Sequence, residues 1–146
     1  MKLYFVRHGR TEWNEEGRFQ GANGDSPLLP SSIQQIKKLG HALSSIRFDA
    51  VFSSDLKRAV DTTQLIMDQN QFPLHLKKSP ELREWSLGQL EGCKIDTIRA
   101  KYPQEMEAFR HDLSQFHHDL FDAESLSDTT KRTCDFVKSL KEKKFD

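Results

Sequence analysis

Apolar residues along this chain follow two rhythms. Lys2 to Val6 is a short, nearly unbroken apolar run, the pattern of a strand buried on both faces. A polar, glycine-containing loop from Arg7 to Leu28 follows, long enough to suggest function as well as connection. Leu29, Ile33, Ile36, Gly40 and Leu43 then recur at three- and four-residue spacing. They predict an amphipathic helix, started by Pro30 with Ser31 and Ser32. Ala50 to Ser53 reads as a second buried strand. Asp55 to Met67 reads as a second helix, with Leu56, Ala59, Val60, Thr63 and Ile66 or Met67 inward. Leu74 to Leu76 is a weaker strand after Pro73. A turn-rich loop from Glu81 to Cys93 precedes helical stretches at 94–102 and 104–120. A last helix runs from Ser127 to Lys143, with Thr133, Val137 and Leu140 along one side and Phe136 beside them.

Strand, helix, strand, helix, strand is the order of a parallel sheet with right-handed crossovers. The expected fold class is therefore α/β, a three-layer α/β/α arrangement around a mostly parallel central sheet. In such sheets ligands sit beyond the carboxyl ends of the strands. That rule puts Arg7-His8-Gly9 and Ser53-Ser54-Asp55 at the same end. With 146 residues and no linker, repeat or low-complexity tract, residues 1–146 read as a single domain.

Charge and composition narrow the partners. Lys and Arg number 22 against 22 Asp and Glu, a net charge of +0, which argues against nucleic acid or an anionic membrane held by bulk charge. Hydrophobic residues make up 36% of the chain, enough for a lean core. No window approaches the roughly 18 apolar residues of a membrane-spanning helix, and the N-terminal run is too short for a signal peptide. Cys93 and Cys134 have no metal-type spacing, and two reduced cysteines in a cytoplasmic protein are expected.

The chemistry gathers where strands break into loops. In Val6-Arg7-His8-Gly9, the imidazole is a candidate base, metal ligand or nucleophile toward phosphorus. The arginine beside it favours an anion, because its planar fork matches phosphate oxygens. Asn14 and Gln20-Gly21 add polar positions in the same loop. Ser53-Ser54-Asp55-Leu56-Lys57-Arg58 brings a second arginine, one turn into a helix whose N-terminus attracts anions. Together they propose an oxyanion pocket with a histidine at its floor. Three other features read more plainly. His111, His117 and His118 suit a solvated helix face, Ser53 suits helix-start polarity, and Phe19 and Trp85 suit packing.

Four segments then carry a resemblance. They are Val6-Arg7-His8-Gly9 with Thr11; Gly17-Arg18-Phe19-Gln20-Gly21 with Asp25-Ser26-Pro27-Leu28; Ser53 to Thr62; and Leu82-Arg83-Glu84 through Gly88 to Glu91-Gly92. A fifth and weaker segment is Glu124-Ser125-Leu126. In this order the chain resembles the histidine phosphatase superfamily, the phosphoglycerate-mutase-like branch. The resemblance implies that His8 attacks phosphorus and becomes a phosphohistidine, while Arg7 and Arg58 bind the phosphoryl oxygens. It implies a further donor in Asn14, a pocket wall in Gln20 and Gly21, and a proton donor in Glu84, with Glu81 and Glu91 as rivals in the same loop. His8 must be neutral to attack, and nearby arginines disfavour imidazolium. Glu84 needs a raised pKa, to be supplied by burial and by a bound phosphate. No metal and no other cofactor is implied, because arginines neutralise the charge. The partner is a small phosphorylated substrate or inorganic phosphate.

Departures from the family pattern matter too. Arg10 stands where the family usually has Glu or Gln, and is expected to point to solvent. The family's second catalytic histidine follows one more apolar strand, in a Ser-His-Gly or Gly-His-Gly motif, whereas this sequence ends at Asp146. None of His41, His75, His111, His117 and His118 follows an apolar strand in a way that replaces it. The domain is thus expected to lack the family's C-terminal strand. Leu3, Tyr4, Phe5 and Val6 would then form an open apolar edge that invites self-association into a homo-oligomer, or depend on residues beyond the sequence. Phosphomonoester hydrolysis is the expected function, weakened but still phosphate-binding in the 146-residue chain. The alternatives are mutase-type phosphoryl transfer or a regulatory phosphate-binding role.

Overall fold

Val51-Phe52-Ser53 and Leu76-Lys77-Lys78 form the two strands of the sheet, β1 (Val51–Ser53) and β2 (Leu76–Lys78). They pair in parallel, with Val51 opposite Leu76 and Ser53 opposite Lys78. The structure, a computed structural model, describes residues 1–143. Lys144, Phe145 and Asp146, the end at which the family's next strand was expected to be missing, lie outside the described residues.

Successive strand residues point to opposite faces, and this alternation builds the layers. Val51 packs toward Ile36, Ile66 and Met67, supplied by α2 (Pro30–Ala42) and α3 (Lys57–Met67). Phe52 turns the other way and meets Phe136 of α6 (Leu126–Leu140) edge to face, with ring centroids 5.4 Å apart. Helices therefore cover both faces of a parallel sheet, as the element order predicts. The remaining helices are α1 (Glu12–Glu15), α4 (Ile95–Lys101) and α5 (Pro103–His111). No helix among the described residues is long and apolar enough to cross a membrane.

A second core lies to one side of the sheet. Phe19, Leu87, Leu90, Met106, Phe116, Phe121 and Ala123 are buried together, with Trp85, Tyr102 and Phe109 packed around them. Trp85 stacks on Phe109 at 5.5 Å and Phe116 on Phe121 at 5.8 Å. Phe19 and Trp85 are packing residues, as read from the sequence.

Four expectations change. Residues 2–6 form no strand, and Leu3, Tyr4, Phe5 and Val6 are between 40% and 79% exposed. A run buried on both faces needs backbone partners at its edges. Here β1 pairs with β2, and the N-terminal run touches the fold through the edge of Tyr4 on Phe48. The third strand begins two residues late because its register with β1 places Leu76, not Leu74, opposite Val51. The helix expected over 104–120 stops at His111. The Asp112 carboxylate caps a 3₁₀ turn by accepting from Ser114 N–H at 3.1 Å, and the chain folds Phe116 and Phe121 back onto the aromatic core. Finally, α3 buries Arg58 and Thr62 as well as Ile66 and Met67, so its inner face is half polar.

Candidate active site

A cleft of 660 Å³ opens between the N-terminal segment, β1, the start of α3, the turn at 82–84 and α6. At one end Arg7, His8, Ser53, Ser54, Arg58 and Glu84 line it. Arg7 and His8 share this cleft with Ser53 and Ser54 at the end of β1, although the run before Arg7 forms no strand.

His8 is held by its neighbours. Gly9 N–H donates to Thr62 Oγ1 at 3.0 Å, and the Thr62 hydroxyl donates to the Arg58 carbonyl at 2.7 Å, which ties the histidine loop to α3. His8 Nδ1 lies 2.7 Å from the Gly9 carbonyl oxygen. A carbonyl only accepts, so Nδ1 carries the hydrogen and Nε2 of the neutral ring keeps its lone pair. Burial holds the His8 pKa below the ordinary 6.5; the Gly9 carbonyl opposes this, Arg58 and Arg7 repel the imidazolium, and Glu84 favours it. Three of the predicted residues, Arg7, Arg58 and Glu84, thus act electrostatically on a fourth, His8. Arg7 and Arg10 are exposed.

Arg58 is 2% exposed. Its guanidinium donates to the carbonyls of Gly24 at 2.7 Å and Gly21 at 2.8 Å, and pairs with Asp25 at 3.2 Å. Asp25 also accepts from Lys57 N–H at 2.6 Å. The start of α3, expected to greet a bound anion, is therefore already capped by the protein's own carboxylate. Gly21, expected as a pocket wall, is not among the residues lining the cleft, and is glycine for steric reasons. A Cβ would lie 2.4 Å from the Trp85 carbonyl, so only glycine lets this loop approach the 85–91 turn.

Asn14 and Gln20 are not brought to His8, and neither lines the cleft. Asn14 closes a capping box with Thr11. Gln20 donates to Thr11 Oγ1 at 3.0 Å and accepts from Ser26 Oγ at 2.7 Å. Around the fully buried Thr11 these side chains make the scaffold of the loop.

The rival carboxylates separate cleanly. Glu91 accepts from the backbone N–H groups of Asn23, Gly24 and Leu87, so its carboxylate is committed to the loop. Glu81 is not among the residues lining the cleft. Glu84 lines it, but is exposed there and not buried as expected.

Sequence reasoning missed two ion pairs. Arg83 binds Asp55 through two hydrogen bonds of 2.7 Å, joining the Glu84 turn to the end of β1 and lowering the Asp55 pKa. Arg132 pairs with Glu124 at 2.7 Å. Glu124 lay in a recognised segment, but Arg132, two helical turns further on, carried no local signal.

Fold and site together define an α/β protein with a neutral histidine in an arginine-flanked cleft. The chain belongs to the histidine phosphatase superfamily (branch 1), which it matches over residues 3–146. Fructose-2,6-bisphosphatase TIGAR of Xenopus laevis is 40% identical over 99 residues, covering 66% of this chain and 36% of that protein. Probable phosphoglycerate mutase GpmB of Enterobacter sp. (strain 638) is 32% identical over 134 residues, covering 90% of this chain and 59% of that protein. The solved structure of Bacillus stearothermophilus YhfR superposes with a TM-score of 0.77 at 30% identity, covering 92% of this chain and 64% of that one. The chain thus spans between 36% and 59% of the length of these two curated relatives.

Proposed function

We propose that the cleft binds a small phosphorylated metabolite and hydrolyses its phosphomonoester through a phosphohistidine on His8. The observation that carries this is the His8 ring. It is neutral, with Nδ1–H held by the Gly9 carbonyl, and it sits beside Arg7, Arg58 and Glu84. Nε2 is then the nucleophile. Its lone pair forms the N–P bond as the P–O bond to the leaving group breaks. Glu84, protonated, gives its proton to that oxygen, then takes one from the water that attacks the phosphohistidine. Arg7 at the mouth and Arg58 beneath supply positive potential where charge builds on the phosphoryl oxygens.

A mutase-type reading uses the same intermediate and returns the phosphoryl group to a second hydroxyl. The compact connection between Arg58 and Leu82 leaves the cleft open to water and favours hydrolysis. The free thiols of Cys93 and Cys134 support a reducing, cytoplasmic setting.

Replacement of His8 with Ala tests the proposal. Turnover of p-nitrophenyl phosphate should vanish, and an acid-labile phosphoryl label, trapped by rapid quenching of wild type, should be absent. An unchanged rate in His8→Ala would overturn the mechanism. Because the folded pKa of His8 is lowered, neutral imidazole persists as pH falls through 6.5, and the acidic limb of kcat/KM should lie below that value.

A further inference from the structure

Arg132 reaches from α6 to the turn that carries Glu84. Its Nη1 donates to the carbonyl oxygens of Glu81 and Arg83, both at 2.8 Å, and its Nη2 to the Glu84 carbonyl at 3.1 Å. The other edge of the fork holds the Glu124 carboxylate, Nε at 2.7 Å and Nη2 at 2.9 Å. These five bonds match the five N–H donors of a guanidinium. The side chains are 19% and 17% exposed, so the pair is largely shielded. Glu124 is itself fixed to the far side of the turn. Its carboxylate accepts from Ser86 N–H at 3.3 Å, its backbone N–H donates to the Ser86 carbonyl at 2.8 Å, and its carbonyl accepts from Trp85 Nε1 at 2.6 Å.

The carboxyl of Glu84 is exposed, so packing does not aim it. Its placement depends on the backbone of residues 81–84, and Arg132 holds three carbonyls of that stretch at once. Arg83 on Asp55 fixes the same turn toward β1. Lysine offers three donors and no plane, so it cannot make the same set.

We propose that Arg132, braced by Glu124, is a positioning residue that presents the Glu84 carboxyl to the leaving oxygen of a substrate held at His8. This rests on the reading of Glu84 as proton donor. Arg132 touches neither substrate nor reacting atoms. The proton passes from the Glu84 carboxyl to the ester oxygen as the P–O bond breaks and the His8 N–P bond forms.

The test compares Arg132→Lys, Glu124→Gln, Glu84→Gln and the double variant Glu84→Gln/Arg132→Lys in the intact protein. Each is assayed on glycerol phosphate, whose alkoxide leaving group needs a proton, and on 2,4-dinitrophenyl phosphate, whose leaving group does not. A general acid contributes about 10²–10⁴-fold, so Arg132→Lys should lower kcat/KM on glycerol phosphate, which reports formation of the phosphohistidine, by roughly 10–100-fold, with kcat/KM for the dinitrophenyl ester nearly unchanged. The double variant should be no slower than Glu84→Gln alone, because both changes remove one function. Glu124→Gln keeps the arginine and should show a smaller loss with the same split between esters. It decides the matter if Arg132→Lys does not fold.

Equal losses on both esters, or additive losses in the double variant, would make Arg132 a purely structural tie and overturn the proposal. If Glu84→Gln shows the split and neither Arg132→Lys nor Glu124→Gln does, positioning fails while the acid assignment stands. If Glu84→Gln shows no split, both fall together.

Discussion

The aromatic core beneath the Glu84 turn and the apolar run at residues 3–6 use the same kinds of side chain and meet opposite fates. Phe116 and Phe121 are 6% and 4% exposed, whereas Phe5 is 79% exposed. Phe19, Trp85, Phe109, Phe116 and Phe121 come from well-separated stretches of chain, drawn together by hydrogen-bonded turns. Phe19 N–H donates to the Cys93 carbonyl at 3.0 Å, and Gly92 N–H to the Phe19 carbonyl at 2.8 Å. Gly88, at φ +55, lets the backbones close, since a Cβ there would lie 2.1 Å from the Phe121 carbonyl. The run at 3–6 is more uniformly apolar, yet it stays open beside the cleft. Apolar character supplies the tendency to bury. The backbone partners decide whether burial happens.

Four measurements sharpen or break that comparison. The largest effect should come from Phe116→Ala, which opens a cavity among stacked rings and should cost about 3–5 kcal/mol in urea denaturation. A loss below about 1 kcal/mol would mean that the cluster is loosely packed. Next is Thr11→Val, which leaves Gln20 and Asn14 without the buried hydroxyl they share and should cost about 1–3 kcal/mol. Retention of full stability would show that the two amides find other partners.

The third measurement is a pH dependence. The Arg132 hydrogen bonds, foremost, hold the Glu124 pKa down to about 2 from the ordinary 4.5. A depressed carboxyl stabilises the fold above its unfolded value, and that stability is lost as pH falls from 4.5 toward 2. Allowing for solvent screening, the loss should be about 1–2 kcal/mol by chemical denaturation. It should shrink in Arg132→Leu, and an unchanged acid limb there would assign it to other carboxylates. The smallest effect belongs to Phe5→Ser, which should move stability by no more than about 0.5 kcal/mol. A loss comparable with Phe116→Ala would show that residues 3–6 are buried in solution.

The candidate site was legible in unequal parts. His8 and Arg58 stand beside turn and helix signals that place them near the ends of elements, where local pattern points to them, whereas Glu84 was singled out from Glu81 and Glu91 by the family resemblance. Asn14 and Gln20 have the right chemistry in the right loop, but the capping box and the buried Thr11 turn them inward. Arg132 looks like an ordinary helix-surface arginine until the 81–84 turn folds over it. Helices with a clean three-to-four spacing, α2, α3 and α6, appear within a few residues of their predicted spans. The span at 104–120 failed because it is amphipathic only as far as His111, beyond which Phe116 and Phe121 answer to the distant Trp85 and Tyr102.

The sequence by itself determined the α/β order of elements, the family and the histidine between two arginines, because these depend on short-range spacing and on residue type. Only the tertiary structure decided which ring nitrogen of His8 is free, which of three glutamates meets the cleft and what holds that glutamate in place. Each of those outcomes depends on a backbone carbonyl or N–H group, and every residue type offers the same ones. For the His8 ring that carbonyl is its neighbour's; for the glutamates the pairing is set by where remote segments come to lie, and no local pattern of side chains records it.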